Sequence, residues 1–235
     1  MKGLLALVGS GEFTPAMDEV DRILLASIGR DRPRVAIVPT ASWPDGEAVF
    51  RRWAAQGIAH FEALGAEPMP VLVRDRETAG DPASAASIAT ADLVYFSGGK
   101  PGHLLGALDG TAAGTALLEA HSRGAVVAGC SAGAMVLGAH QFRIGGRFGQ
   151  IPVGWQPSLG FAPRLVVVPH YDAFPETMVL PMALAVPDGS VIVGIDEETA
   201  MIGGDGEWHV HGRGRVTVWR GSRRRRYQAG STVRP

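Results

Sequence analysis

The 235 residues carry 22 lysines and arginines against 23 aspartates and glutamates, and 46% of them are hydrophobic. That balance supplies a sizeable core and leaves no global field for drawing in nucleic acid or an acidic membrane surface. Cys130 is the only cysteine, which excludes an internal disulfide, and Gly and Pro interrupt every apolar stretch short of the roughly 20 residues that a membrane helix needs. The apolar run before Gly9 is also too short for a secretory signal. The expectation is one cytoplasmic domain over 1–235 whose partner is a small molecule, with neither nucleic acid nor membrane.

In chain order, the apolar runs Leu4–Val8, Val35–Val38, Val71–Val73, Leu93–Phe96 and Val126–Ala128 predict buried parallel strands. Amphipathic stretches between them predict helices: Pro15–Ser27 behind Thr14, Glu47–Leu64 ending at Gly65, Pro82–Thr90, and Thr111–Arg123 ending at Gly124. Proline just inside a helix start and glycine just past its end fit because the first lacks an N–H that would be orphaned and the second accepts a left-handed backbone. This alternation predicts an α/β fold, a mostly parallel sheet with helices on both faces. The glycine-rich stretch His140–Pro163 reads as irregular and as a border of the site, before Leu165–Val168 resumes the pattern. Val191–Ile195, Ala200–Ile202, Trp208–Val210 and Val216–Trp219 then predict an antiparallel C-terminal edge on the same sheet. From about 221 to 235, with Arg223, Arg224, Arg225 and Arg226 in succession, the chain reads as a solvated or frayed basic tail.

Gly129-Cys130-Ser131-Ala132-Gly133 forms a G-x-S-x-G directly after a strand and directly before a helix. A serine on such a turn has a strained backbone, and small neighbours are required because side chains there would meet the strand or the helix. A hydroxyl nucleophile needs a base, and His170 closes the strand Leu165–Val168 at the carboxyl edge, where ligands bind in open α/β sheets. Glu197, two residues past Val191–Ile195, and Asp172, two residues past His170, are the carboxylates able to orient the imidazole. The oxyanion donors expected are the N–H groups of Gly99, in Ser97-Gly98-Gly99-Lys100, and of Ala132 at the start of the helix.

These residues resemble peptidase family S51, which contains cyanophycinase and aspartyl dipeptidase, within the class I glutamine amidotransferase-like fold, a flavodoxin-like three-layer sandwich. The resemblance rests on Gly9-Ser10-Gly11-Glu12, Pro39-Thr40-Ala41-Ser42, Ser97-Gly98-Gly99, Gly129-Cys130-Ser131-Ala132-Gly133-Ala134 and Gly194-Ile195-Asp196-Glu197-Glu198-Thr199-Ala200, in that order. It implies a serine hydrolase acting on peptide or isopeptide bonds beside aspartate, with no metal or organic cofactor. Ser131 would be nucleophile, His170 base and Glu197 acid. Lys100-Pro101 stands where the family usually has Asn or Gln, no arginine follows His170 at short spacing, and Gly145–Gln150 offers no acid between nucleophile and base. The expected substrate is therefore a small acidic peptide and not cyanophycin itself. Lys100 and Asp172 are the expected substrate contacts, with Arg143, Arg147 and Arg164 as further cations that could meet a carboxylate. A non-catalytic binding protein of the same fold and an esterase are the rival readings, and a homodimer is expected from the fold alone.

Cys130 adjoins the apex of the turn and is expected to point away from it as a small buried residue. His209 and His211 share a strand face but lack an evident third metal ligand. Gly9-Ser10-Gly11 lacks the full dinucleotide fingerprint, so no nucleotide is inferred.

Overall fold

The computed structural model describes residues 2–143, 154–187 and 189–235. Strands β1 (Leu5–Val8), β2 (Arg34–Val38), β3 (Glu67–Pro70), β4 (Leu93–Phe96) and β5 (Val126–Cys130) pair in parallel in the order β1-β5-β4-β2-β3. Between them run α1 (Asp18–Ile28), α2 (Glu47–Ala63), α3 (Arg76–Ala79), α4 (Pro82–Ala89), α5 (Pro101–Leu108) and α6 (Ala112–Ser122). Their boundaries follow local chemistry. α1 stops at Gly29 in the left-handed region (φ 70°), and Thr111 caps α6 by accepting the Gly114 N–H at 3.3 Å. Pro15, expected to open a helix, instead opens a 3-10 turn over Pro15–Met17, and Thr14 donates its hydroxyl to the Gly11 carbonyl rather than capping.

The third strand lies at Glu67–Pro70 and not at Val71–Val73. Pro68 and Pro70 cannot donate to a ladder, so this strand is tolerated only at the edge it occupies. Val71 and Val73 are buried, but they fill the core from a turn past the strand end.

After β5 the chain enters α7 (Ala132–Leu137) and then an antiparallel hairpin of β6 (His140–Arg143) and β7 (Gly154–Pro157), where an irregular stretch was expected. β8 (Leu165–Val168), α8 (Glu176–Ala185) and β9 (Val191–Ile195) follow, then β10 (Thr199–Gly204), β11 (Glu207–Gly212), β12 (Arg215–Arg220), β13 (Arg223–Gln228) and β14 (Thr232–Val233). β10, β11 and β14 extend the main sheet antiparallel from β1, as predicted for Ala200–Ile202 and Trp208–Val210, whereas β14 lies in the expected tail and the runs Val191–Ile195 and Val216–Trp219 fall in another sheet.

β8 and β9 do not join that sheet. They pair in parallel in a second sheet of order β13-β12-β9-β8. The sequence signal is silent on this point, because an all-apolar run reports that both faces are covered, not which sheet the strand belongs to. One face of the second sheet, through Val167, Val193, Ile195 and Val218, shares a core cluster with Leu7, Val127 and Leu137. Its other face, through Val166, Val168, Ile192 and Trp219, packs on Val179 and Ala183 of α8. The opposite face of the main sheet holds Ala6, Val8, Ile37, Tyr95 and Cys130 against Val20 and Leu24 of α1 and Phe61 of α2.

The arginine run is also placed differently from a frayed tail. Arg223–Gln228 is strand β13, paired with β12. Arg224 and Arg226 reach Glu176 at 2.8 and 2.6 Å, and Arg224 lies over the Trp219 ring.

Candidate functional site

The carboxyl ends of β1, β4, β5, β8 and β9 converge, and each contributes one part of the site. Ser131 follows β5 directly and has φ 50° and ψ −107°, a conformation that costs a non-glycine residue about 1–3 kcal/mol. It is held from both sides: its N–H donates to the Val8 carbonyl at 2.9 Å, and its carbonyl accepts the Met135 N–H at 3.1 Å. The flanking glycines leave no alternative. A Cβ on Gly129 would lie 2.5 Å from the Gly133 carbonyl carbon, and one on Gly133 would lie 2.7 Å from the Phe96 oxygen.

His170, two residues past β8, occupies the left-handed region at φ 51° and ψ 38°. From there Nε2 lies 2.9 Å from the Ser131 Oγ, and Nδ1 lies 2.8 Å from Oε1 of Glu197, two residues past β9. Asp172 does not reach the imidazole. Its Oδ1 accepts the Glu197 backbone N–H at 2.9 Å, so it fixes the loop that carries the glutamate. Gly9 supports the same loop from β1: its N–H donates to the Thr199 carbonyl at 2.9 Å, and a Cβ on it would lie 2.1 Å from the Asp196 oxygen. Asp196 itself is buried, which raises its carboxyl above the usual range, and it accepts the Arg215 N–H at 3.1 Å. Glu198 turns outward to Arg213 at 2.8 Å. Half of the Glu197 side chain and about a third of that of His170 are exposed (51% and 37%), so the relay opens to the surface.

The Ser97–Lys100 loop after β4 faces Ser131. Were Gly98 to carry a Cβ, that atom would lie 3.4 Å from the Ser131 Cβ. Gly99 has φ 139°, which only glycine adopts readily, and a Cβ there would lie 2.3 Å from the Ala41 oxygen. The Pro39–Ser42 segment is thus the buttress of this loop, reinforced by the Lys100 N–H donating to Ala41 at 2.7 Å. Among the described residues, the N–H groups of Gly99 and Ala132 have no acceptor. The Lys100 ammonium stands 60% exposed, 3.5 Å from Asp45.

Cys130 is fully buried and faces α1 and α2. Burial first, and then the Glu12 carboxylate, push its thiol well above the usual range, so it stays protonated and donates to Glu12 Oε2 at 2.8 Å. Glu12 itself is 7% exposed and also accepts the Gly98 N–H at 2.7 Å with Oε1. Sequence reasoning notes it only as the last member of Gly9-Ser10-Gly11-Glu12. The available signal was an acid within a few residues of the first strand's carboxyl end.

Of the further cations, Arg164 precedes β8 and bonds the Gly189 carbonyl, which puts it about 13 Å, one strand length, from the end that carries His170. Arg147, the side chain of Arg143 and the Gly145–Gln150 interval lie outside the described residues. Among the described residues, no group of three His, Cys, Asp or Glu side chains is arranged to hold a metal, and no helix is long and apolar enough to cross a membrane.

The profile of peptidase family S51 matches residues 4–211. A cyanophycinase from Trichormus variabilis and one from a Nostoc species are each 30% identical over 225 residues, spanning 92% of this chain and 73% of theirs. The uncharacterized peptidase YgaJ of Bacillus subtilis is 30% identical over 173 residues, spanning 73% of this chain and 70% of its own. The solved structure of a peptidase from an acI-B1 actinobacterium superposes with a TM-score of 0.89 at 31% identity, covering 100% of this chain and 98% of that one. A putative peptidase E protein from Listeria monocytogenes shares the fold, with a TM-score of 0.61 at 18% identity over 90% of this chain and 99% of that one.

Proposed function

Because the chain belongs to peptidase family S51 and is a peptidase, we propose that it works as a serine hydrolase through an acyl-enzyme on Ser131. The Ser131 Oγ attacks the scissile carbonyl carbon while His170 Nε2 takes its proton. Glu197 accepts the Nδ1–H, which holds the productive tautomer and stabilises the imidazolium. The oxyanion accepts the N–H groups of Gly99 and Ala132, donors of a kind whose individual removal costs about 2.7–4 kcal/mol in other hydrolases. As the tetrahedral adduct collapses, the C–N bond breaks and His170 returns the proton to the departing amine. Water, deprotonated by His170, then attacks the ester, and Ser131 recovers its proton. One observation carries this reading: an unbroken Ser131–His170–Glu197 relay at 2.9 and 2.8 Å whose serine sits at positive φ.

The substrate class we propose is a small acidic peptide cut at a peptide or isopeptide bond beside aspartate. Lys100 supports this, because its exposed ammonium follows the oxyanion glycine by one residue and, among the described residues, is held by a single exposed ion pair with Asp45. The test is labelling with a fluorophosphonate probe alongside Ser131→Ala and His170→Ala, followed by hydrolysis of dipeptides with aspartate or alanine at the first position. Labelling lost in the serine variant and slowed in the histidine variant, with the aspartyl dipeptide preferred and that preference lost in Lys100→Ala, is the expected result. A folded wild-type protein that neither labels nor hydrolyses any dipeptide would overturn the mechanism.

A further inference from the structure

We propose that Glu12 is a positioning residue that selects Gly99 as the oxyanion donor, an inference resting on the hydrolase reading above. The loop after β4 offers four successive backbone N–H groups, and three already have acceptors. Ser97 donates to the Val38 carbonyl at 3.4 Å, Gly98 to Glu12 Oε1 at 2.7 Å and Lys100 to the Ala41 carbonyl at 2.7 Å. Only the Gly99 N–H is left without an acceptor among the described residues. Backbone acceptors hold the first and last of these groups, whereas the middle one depends on a side chain that arrives from 86 residues earlier in the chain.

A carboxylate buried to this degree is costly unless its oxygens find donors. Here each oxygen has one, because Oε2 takes the Cys130 S–H at 2.8 Å. Cys130 is the residue before Ser131, so the same carboxylate ties the oxyanion loop to the last residue of the nucleophile's strand. The packing is close as well as polar. The point where a Gly98 Cβ would stand is 2.9 Å from Glu12 Oε1 and 3.4 Å from the Ser131 Cβ, so both side chains crowd the space beside Gly98. If the acceptor is removed, the Gly98 N–H becomes a buried donor without a partner, and the loop is free to rotate this peptide toward Ser131 and displace the Gly99 donor.

The experiment compares Glu12→Leu, which keeps bulk and removes both acceptors, with Glu12→Gln, whose amide oxygen still accepts from Gly98. Three readings are taken on each: the phosphonylation rate of Ser131, kcat against KM on an aspartyl dipeptide, and hydrogen exchange of the Gly98 amide, with Tm as the check on folding. Glu12→Leu is expected to lose roughly 10–100-fold in phosphonylation rate and kcat with little change in KM, less than the roughly 100–1000-fold that outright removal of an oxyanion donor costs, because the donor is displaced and not deleted. Its Gly98 amide is expected to exchange at least tenfold faster. Glu12→Gln is expected to restore most of both. A folded Glu12→Leu with wild-type rates overturns the inference, and so does a Glu12→Gln as slow as Glu12→Leu. A folded wild-type protein that neither takes the probe nor hydrolyses a dipeptide overturns the hydrolase reading, while Gly98 exchange in the same variants still decides whether Glu12 holds the loop.

Discussion

Replacing Gly194 by alanine tests whether the second sheet sets the position of the base. Gly194 lies in β9, pairs with Val168 and Thr217, and is not itself a member of the Ser131–His170–Glu197 relay. A Cβ there would stand 2.1, 2.4 and 2.5 Å from three carbons of the Tyr171 ring, whereas ordinary contact begins at 3.4 Å. The ring must therefore retreat by about 1 Å, a misplacement of the size that costs about 100-fold in rate when it reaches a reacting group. It has little room to turn instead, since Tyr171 is 4% exposed and its hydroxyl accepts the Trp219 indole N–H at 2.8 Å. Tyr171 is bonded directly to His170, whose Nε2 stands only 2.9 Å from Ser131, so a shift of this size breaks that hydrogen bond. Overpacking adds about 1–3 kcal/mol of destabilisation, read as a Tm lowered by about 2–4 °C per kcal/mol for a chain of this size. The assay is the phosphonylation rate with Tm measured on the same samples. Gly204→Ala serves as the control, because a Cβ there meets nothing within 4 Å. A Gly194→Ala protein with lowered Tm and a wild-type rate would show that Tyr171 yields without moving His170, and would refute the coupling.

Two further predictions concern the carboxylates. Glu197→Gln is expected to lower kcat by about 10²–10⁴, because a neutral amide can hold the imidazole but not stabilise its cation. Asp172→Ala, which frees the Glu197 N–H, is expected to lose less, and Asp172→Asn, which keeps an accepting oxygen, least of all. A larger loss at Asp172 than at Glu197 in steady-state kinetics would reverse the assignment of the acid. Glu176, held below the usual glutamate range by the hydrogen bond and charge of Arg226 and the charge of Arg224, stabilises the fold where it is ionised. Because its folded pKa is lowered, this contribution is fully present above the unfolded value near 4.3 and is lost as pH falls through the folded one. The Tm difference between wild type and Glu176→Gln is therefore expected at pH 7 and absent near pH 2, and a difference independent of pH would remove the ion pair as its cause.

The three residues of the relay were legible because each one follows an apolar run within two or three residues, a position that backbone geometry places at one edge of a parallel sheet. The choice between Glu197 and Asp172 was not, since both lie two residues past a candidate position and only the fold shows that one meets the imidazole and the other meets its partner's backbone. Glu12 was missed as a site residue for a related reason: its partners are 86 and 118 residues away, and no local pattern distinguishes a buried carboxylate with two donors from a solvated one. The second sheet escaped because periodicity reports burial and not pairing. The arginine run is exposed, as its charge suggests, but charge gave no sign that it is a paired strand whose Arg224 and Arg226 share Glu176 while Arg224 lies over Trp219.

β9 and β10 are consecutive strands joined by only Asp196-Glu197-Glu198, yet they belong to different sheets. Ser131 and the Ser97–Lys100 loop are therefore carried by one plate, and His170 follows a strand of the other, with Glu197 on the link between the two. The 2.8 Å bond between His170 and Glu197 ties the second plate to that link, and the 2.9 Å bond between Ser131 and His170 crosses from plate to plate. The plates also meet through the shared cluster of Leu7, Val127, Val167 and Val193, and Gly9 lets β1 approach the Asp196 carbonyl where the chain crosses from one plate to the other.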